Sequence, residues 1–389
     1  MFQNIPGFLL LEDDSIFSGL LFGFDLKDNN SAVGEICFNT SLSGYQEIIT
    51  DPSYSNQIVN FTNPMLGNYG INNQDSESDS IHLRAVVCRE YIHNYSNWRA
   101  ETSLHEFLVK YKIPGLSAID TRALTIKIRT MGALNGIIFS GIANEENIKN
   151  AEEQLKKFPG LSGRDLVKGV SCKKKYNYSD KLQRLPGAKD YQFKLAIIDC
   201  GVKFNILRCL DQEGFDITVY PADTPFKIIE DDGAKCYFIS NGPGDPTPLK
   251  YISETVKEII KSGKPLFGIC LGEQIIALAC GAGTYKMKFG HRGANQPVMD
   301  LNSRTIQITS HNHGFAVGTT EEKSTAIIEK YENSHVNLND NCLEGIRLLD
   351  KNVMAVQYHP EAAPGPREAV SLFREFRELV ENNYNKIKT

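Results

Sequence analysis

Three short stretches of this 389-residue chain hold residue types suited to nucleophilic catalysis. In Gly268-Ile269-Cys270-Leu271-Gly272, a cysteine takes the place of serine in a nucleophile-elbow pattern. An elbow is a sharp strand-to-helix turn that strains its nucleophile, and flanking glycines remove side chains that would collide around it. The helix amino terminus attracts negative charge and so favours the thiolate, the reactive form. The Leu271 N–H would point where an oxyanion develops. A buried cysteine at a tight helix–sheet contact fits the same five residues.

An acylating thiolate needs a base oriented by a third group. The apolar run Val353 to Tyr358 leads into His359-Pro360-Glu361. Residues two apart in extended chain share a face, and the proline between them stiffens the unit. His359 and Glu361 are therefore a candidate base and its orienter. Ser240-Asn241-Gly242-Pro243-Gly244-Asp245-Pro246 is the third stretch. Two glycines around a proline give a rigid loop with bare backbone, suited to placing a second N–H in an oxyanion hole. An ordinary Gly-Pro turn reads the same way.

The surrounding elements must bring these stretches together. From Lys194 onward, strands and helices alternate. Leu195 to Asp199 is a continuous apolar run, fit for a strand buried on both faces. A helix follows with Ile206, Leu207 and Leu210 at helical spacing, closed by Gly214. Strands are expected at Asp216 to Tyr220, Lys235 to Ser240 and Leu266 to Ile269. Helices are expected over 250–262, stopped by Gly263, and over 271–280. Such β-α-β alternation predicts a doubly wound, mostly parallel sheet with ligands at the strands' carboxyl ends, where all three stretches lie. A last amphipathic helix would turn Val370, Phe373, Phe376 and Val380 inward.

The earlier part of the chain has a different grammar. From Phe8 to Gly141, short apolar runs are broken by turn residues, among them Gln57 to Thr62 and Ala85 to Glu90. Two helical patterns interrupt them. One starts at a capping box of Ser103 and Glu106; the other starts at Asp120 and carries Leu124, Ile128 and Met131 on one face. This predicts a mixed, strand-rich domain over 1–150. Residues 151–190, with a polar, lysine-rich stretch from Lys173 to Asp190, read as a linker. The second domain then spans 191–389.

Glycine loop, elbow and His-x-Glu, in that order over 194–382, resemble the class I (triad) glutamine amidotransferases. The amino-terminal motifs narrow the family. They are Gly44 to Tyr54, Asn63-Pro64, Gly67-Asn68-Tyr69-Gly70, Ile119-Asp120-Thr121-Arg122 and Gly132-Ala133-Leu134-Asn135-Gly136. With Lys286 to Gly293 and Ser310 to Val317, they resemble the small, glutaminase subunits of carbamoyl-phosphate synthase. The resemblance implies that Cys270 attacks the carboxamide of glutamine and that His359 protonates the departing ammonia. Gly242 and Leu271 would line the oxyanion hole. Ser53, Gly244, Gln274, Asn312, Gly314 and Phe315 would make further contacts to glutamine. It also implies a large synthetase subunit as partner, holding ATP and Mg, with no cofactor in this chain. That family usually carries histidine after Leu-Gly in the elbow, whereas this chain has Glu273. An ionised Glu273 one turn from Cys270 would make the thiol less acidic.

Composition restricts the alternatives. Hydrophobic residues are 41% and charged residues 23% of the chain, a globular balance. The longest charge-free stretch, Pro52 to Gln74, carries six asparagines that a bilayer core would not accept. The first basic residue is Lys27, too late for a signal or transit peptide, so a cytoplasmic location is expected. The net charge of -5 contains a strongly acidic segment before Arg84, an acidic solvated face or a docking surface for a more basic partner. No basic stripe for nucleic acid is visible. Nine cysteines without a C-x-x-C pair argue against a disulfide framework or structural zinc. No P-loop is present, since Gly263-Lys264 runs into proline. Two other readings are the glutaminase of another synthase, disfavoured by the first 150 residues, and a catalytically silent scaffold, disfavoured by intact Cys270, His359 and Glu361.

Overall fold

Apolar side chains alternate along the early strands and so build two faces. In Ile5–Leu11, Leu9 and Leu11 pack with Ile36, Ile58, Leu116 and Ile138. Phe8 and Leu10 turn the other way, onto Phe139, Ala151 and Leu155. The computed structural model describes residues 5–26, 31–318 and 329–388. It divides into two units, one running to Leu161 and including Lys288–Arg292, the other formed by Ser162–Met287 and Gly293 onward.

In the first unit, seven described strands close a barrel. Their order is Ile5–Leu11, Ile16–Gly23, Pro114–Ser117, Ala85–Val87, Gln57–Phe61, Ser31–Asn39 and Leu134–Ser140. Closure leaves no free edge among these strands. The Ser103–Glu106 capping box starts the helix Leu104–Lys110 as expected. Asp120 caps Thr121–Met131, which buries Leu124 and Ile128. Met131, expected on that face, is 60% exposed because the buried stripe stops one turn earlier, at Ile128.

The second unit is a ten-stranded sheet among the described residues. Its parallel part runs Phe215–Pro221, Phe193–Asp199, Cys236–Ile239, Leu266–Ile269 and Val353–Val356. The rest is antiparallel. Helices 250–262 and 271–279 cover one face and helices 204–212 and 371–388 the other, each over its own apolar core. Phe373, Phe376 and Val380 are buried as expected, but Val370 is 40% exposed. It belongs to a preceding 3-10 turn, Glu368–Val370, whose tighter winding takes it out of the helix's register.

Residues 162–190, expected as a linker, fold with the second unit. Val167 and Tyr178 are buried in its cores, and Tyr176–Asn177 adds an antiparallel edge strand. A few buried side chains, Leu166, Val167 and Tyr178 among them, and one ladder dock a segment that is otherwise polar, and that is invisible to composition.

Register positions the site. Ile198 lies opposite Ile239, Ile239 opposite Gly268, and Ile269 opposite Val356. The loops that follow these strands therefore leave the sheet side by side at the carboxyl edge. Phe193–Asp199 has Phe215–Pro221 on one side and Cys236–Ile239 on the other, so successive connections diverge there.

Candidate active site

Cys270 sits at the end of Leu266–Ile269 and caps the helix Leu271–Ala279. Its φ of 56° and ψ of -108° lie in a region that side-chain-bearing residues rarely occupy, a strain of about 1–3 kcal/mol held by its surroundings. The Cys270 N–H donates to the Val356 carbonyl at 2.8 Å. Both neighbouring glycines are required by contact. A Cβ at Gly272 would lie 2.2 Å from the Ile239 carbonyl oxygen, and one at Gly268 2.5 Å from Ile276 Cδ1.

His359 reaches the same place from Val353–Val356. Its N–H donates to the Ser310 carbonyl at 2.8 Å, and its Nδ1 lies 2.7 Å from Glu361 Oε1. Nδ1 therefore carries a proton for the carboxylate, leaving Nε2 for the sulfur. Burial alone would lower the His359 pKa. The charges of Glu361 and of the Cys270 sulfur beside it outweigh burial and raise it. Cysteine, histidine and glutamate thus form a line of buried groups, all three at most 3% exposed.

Sequence reasoning missed the fourth member of this line. Lys203 Nζ donates to Glu361 Oε1 at 2.9 Å and to the Ala362 carbonyl at 2.6 Å. Its N–H donates to Asn241 Oδ1 at 3.1 Å, so Lys203 also fixes the glycine loop. Asn205 Nδ2 donates to the Glu361 carbonyl at 2.6 Å. A lysine just past the buried strand ending at Asp199, at a carboxyl edge, was the available signal.

Gly242 follows the strand Cys236–Ile239, and a Cβ there would lie 2.2 Å from the Cys200 carbonyl oxygen and 2.7 Å from Leu271 Cδ2. The loop backbone therefore packs directly on its neighbours beside Leu271. Gly242→Ala is expected to lower kcat by about 10²–10³ with little change in KM, the loss seen when one oxyanion donor is displaced. Steady-state kinetics check this; an unchanged kcat with raised KM would make the loop a ground-state clamp. Gly244 needs its φ of 84°, and a Cβ there would lie 3.0 Å from Leu166 Cδ1.

Gln274 Nε2 donates to the Phe315 carbonyl at 2.7 Å and to Gln357 Oε1 at 2.8 Å, while its buried Oε1 has no hydrogen-bond partner among the described residues. Asn312 lends its carbonyl to the Cys270 sulfur at 3.7 Å. Gly314 and Phe315 follow on the same strand, Ile306–Val317. Cys270 thus meets Asn312, Gln274 meets Phe315, His359 meets Glu361 and Gly242 packs beside Leu271, while Gly244 follows in the Gly242 loop and Gly314 lies between Asn312 and Phe315 on their strand. Ser53 belongs to the first unit, buried in the turn Pro52–Tyr54 that Asp51 caps.

Glu273 stands in the first turn of the helix that follows Cys270. It is fully buried, and among the described residues neither carboxyl oxygen has a hydrogen-bond partner. Burial, reinforced by the charge of Glu344, pushes its pKa well above the usual carboxylate value and so disfavours the ionised form. The neutral form that burial favours would exert no Coulomb field on the sulfur. The pH dependence of Cys270 alkylation is expected to coincide in wild type and Glu273→Gln; a shift of the curve to lower pH in the variant would show an ionised Glu273.

Residues 9–138 match the family described as carbamoyl-phosphate synthase small chain, CPSase domain, and residues 196–379 match glutamine amidotransferase class-I. The carbamoyl phosphate synthase small chain of Syntrophotalea carbinolica is 45% identical over 383 residues, covering 96% of this chain and 98% of the relative. That of Photobacterium profundum is 44% identical over 388 residues, 98% of each chain. That of Vibrio parahaemolyticus is 45% identical over 382 residues, 96% of this chain and 98% of the relative.

Proposed function

The chain belongs to the carbamoyl-phosphate synthase small-chain family, and from that premise we propose that it is the glutaminase subunit of a glutamine-hydrolysing synthase. The observation that carries this reading is the buried line Cys270–His359–Glu361–Lys203, with the cysteine strained at a helix amino terminus. The Cys270 thiolate adds to the carboxamide carbon of glutamine, and the new oxyanion faces the backbone N–H groups of Leu271 and the Gly242 loop. As the C–N bond breaks, the nitrogen takes the proton held on His359 Nε2 and leaves as ammonia. Water then adds to the thioester and gives its proton to His359. The thiolate departs, and glutamate is released.

Gln274 Oε1, without a hydrogen-bond partner among the described residues, suits a donor on the substrate, and Gly244, Asn312, Gly314 and Phe315 complete the proposed glutamine contacts of this unit. Ammonia passes to a large subunit that uses ATP and Mg to make carbamoyl phosphate for arginine and pyrimidine synthesis in the cytoplasm. This chain itself uses no cofactor. Co-expression with a large ATP-binding subunit tests the reading. A stable heterodimer forming carbamoyl phosphate from glutamine, bicarbonate and ATP is expected. A chain that co-purifies but releases no glutamate from glutamine would be a silent scaffold.

A further inference from the structure

One buried amide of the second unit has no part in the reaction derived above. Gln357 follows the strand Val353–Val356, two residues before His359, and is fully buried. Alternation along the chain puts it on the face of Val353 and Ala355, which pack in the core that also holds Leu271 and Ile275 of the helix Leu271–Ala279. Its backbone N–H donates to the Glu344 carbonyl at 3.0 Å, which fixes the main chain there.

Hydrogen bonding decides which way two side-chain amides point. The Phe315 carbonyl can only accept, so the Gln274 atom 2.7 Å from it is the nitrogen. The second hydrogen of that nitrogen goes to Gln357 at 2.8 Å, so the Gln357 atom there is the oxygen. With both its N–H groups engaged, the Gln274 amide has one fixed orientation, and its Oε1 is the buried acceptor without a partner among the described residues. The terminal torsion of a glutamine is broad, so a single hydrogen bond would let the amide pivot. As a core filler Gln357 is costly. Its Nε2 is buried with no hydrogen-bond partner among the described residues, a cost that an apolar side chain of the same length avoids. The group its oxygen does engage is Gln274.

We propose that Gln357 is a positioning residue of the glutaminase, clamping the Gln274 amide so that Oε1 is presented to a hydrogen-bond donor of the substrate. The inference rests on the proposed contact between Gln274 and glutamine. Because Gln357 stands two residues before His359, the clamp also ties that acceptor to the segment that carries the base. An acceptor held by two bonds is in place before the substrate arrives, so binding has less of the site to order. The clamp acts on where the substrate is held rather than on the thiolate, and its loss should appear in KM.

The test compares the full chain with Gln357→Met, which keeps the length but offers no amide oxygen, by glutamate release. KM for glutamine should rise about ten-fold while kcat stays within about three-fold. In a Gln274→Met background the same substitution should change KM by less than about two-fold, because Gln357 acts through Gln274. Gln357→Asn keeps an amide but draws it one methylene short; it should raise KM in the same way and decides the matter where the methionine variant fails to fold. An unchanged KM, a fall in kcat alone, or effects that multiply in the double variant would overturn the proposal. A second readout needs no catalysis. In nuclear magnetic resonance of the isotope-labelled chain, the Gln274 side-chain N–H signals are identified by their loss in Gln274→Met. They should be protected from hydrogen exchange in wild type and exchange at least about ten-fold faster in Gln357→Met. Equal exchange in the two would overturn the clamp, whereas a chain that releases no glutamate overturns the glutaminase reading while the exchange rates still decide the clamp.

Discussion

Cys270→Ser is expected to abolish glutamine hydrolysis while the assembled enzyme still makes carbamoyl phosphate from free ammonia. The serine hydroxyl is barely ionised at neutral pH, so it has no counterpart to the thiolate that adds to the carboxamide. Nothing else in the line replaces it, because His359 and Glu361 only move and hold a proton. Loss of an essential nucleophile costs on the order of 10⁶ in kcat in a serine protease, and a loss of at least several orders is expected here. The volume change is one sulfur for one oxygen. Cys270 keeps its φ of 56° by the packing of Gly268 and Gly272 rather than by its own side chain, so the fold should survive. Glutamate release and ammonia-dependent synthesis are measured on the same preparation. Glutamine-dependent turnover near wild type would remove Cys270 from the mechanism.

The second large effect is expected from Lys203→Met. Lys203 and Glu361 are an ion pair at 2.9 Å whose side chains are 4% and 0% exposed. Burial alone would raise the Glu361 pKa; the charges of Lys203 and then His359 outweigh it and hold the carboxyl down at about 2. Breaking one half of a buried pair leaves an uncompensated charge and costs about 3–5 kcal/mol of stability. Glu361 relieves that cost by taking up a proton at higher pH. Once protonated, it no longer fixes the Nδ1–H tautomer of His359, so kcat should fall on the order of 10²-fold or more.

The sign of the pH effect follows from the depressed value. In wild type the Glu361 contribution to stability is complete above its unfolded pKa, near 4.5, and is lost as pH falls through about 2. In Lys203→Met, that loss and the acid limb of kcat/KM should both move to higher pH. A variant that is less stable but keeps the wild-type acid limb would make Lys203 structural only. Denaturant unfolding and the pH profile separate the two.

Most of the chemistry was legible because it is written in short stretches. Gly268 to Gly272 read as an elbow, and contact distances supply the reason: each glycine faces backbone or side-chain atoms with no room for a Cβ. His359-Pro360-Glu361 needed only extended geometry to bring imidazole and carboxylate to 2.7 Å. The alternation of strand and helix after Lys194 predicted the sheet, and the sheet's register aligned the loops. Local patterns failed where a boundary or a second contact intervened. Met131 and Val370 kept the spacing of buried residues but fall at a helix end and in a 3-10 turn. Residues 162–190 were polar in composition yet docked through Val167, Tyr178 and one short ladder.

The sequence by itself determined the nucleophile, its base, the orienting carboxylate and the class of sheet that carries them, because covalent spacing and backbone geometry set those relations within a few residues. Tertiary structure alone decided the rest. Lys203 meets Glu361 across 158 residues of chain, and Glu344 meets His311 of another strand, so no local spacing announces either contact. Glu273 reads as a charge beside the thiol, yet its burial disfavours the ionised form. The physical reason is common to all three. An ionisable group's charge, and so its work, is set by the dielectric and the partners that the folded chain places around it, and those come from residues far away in sequence.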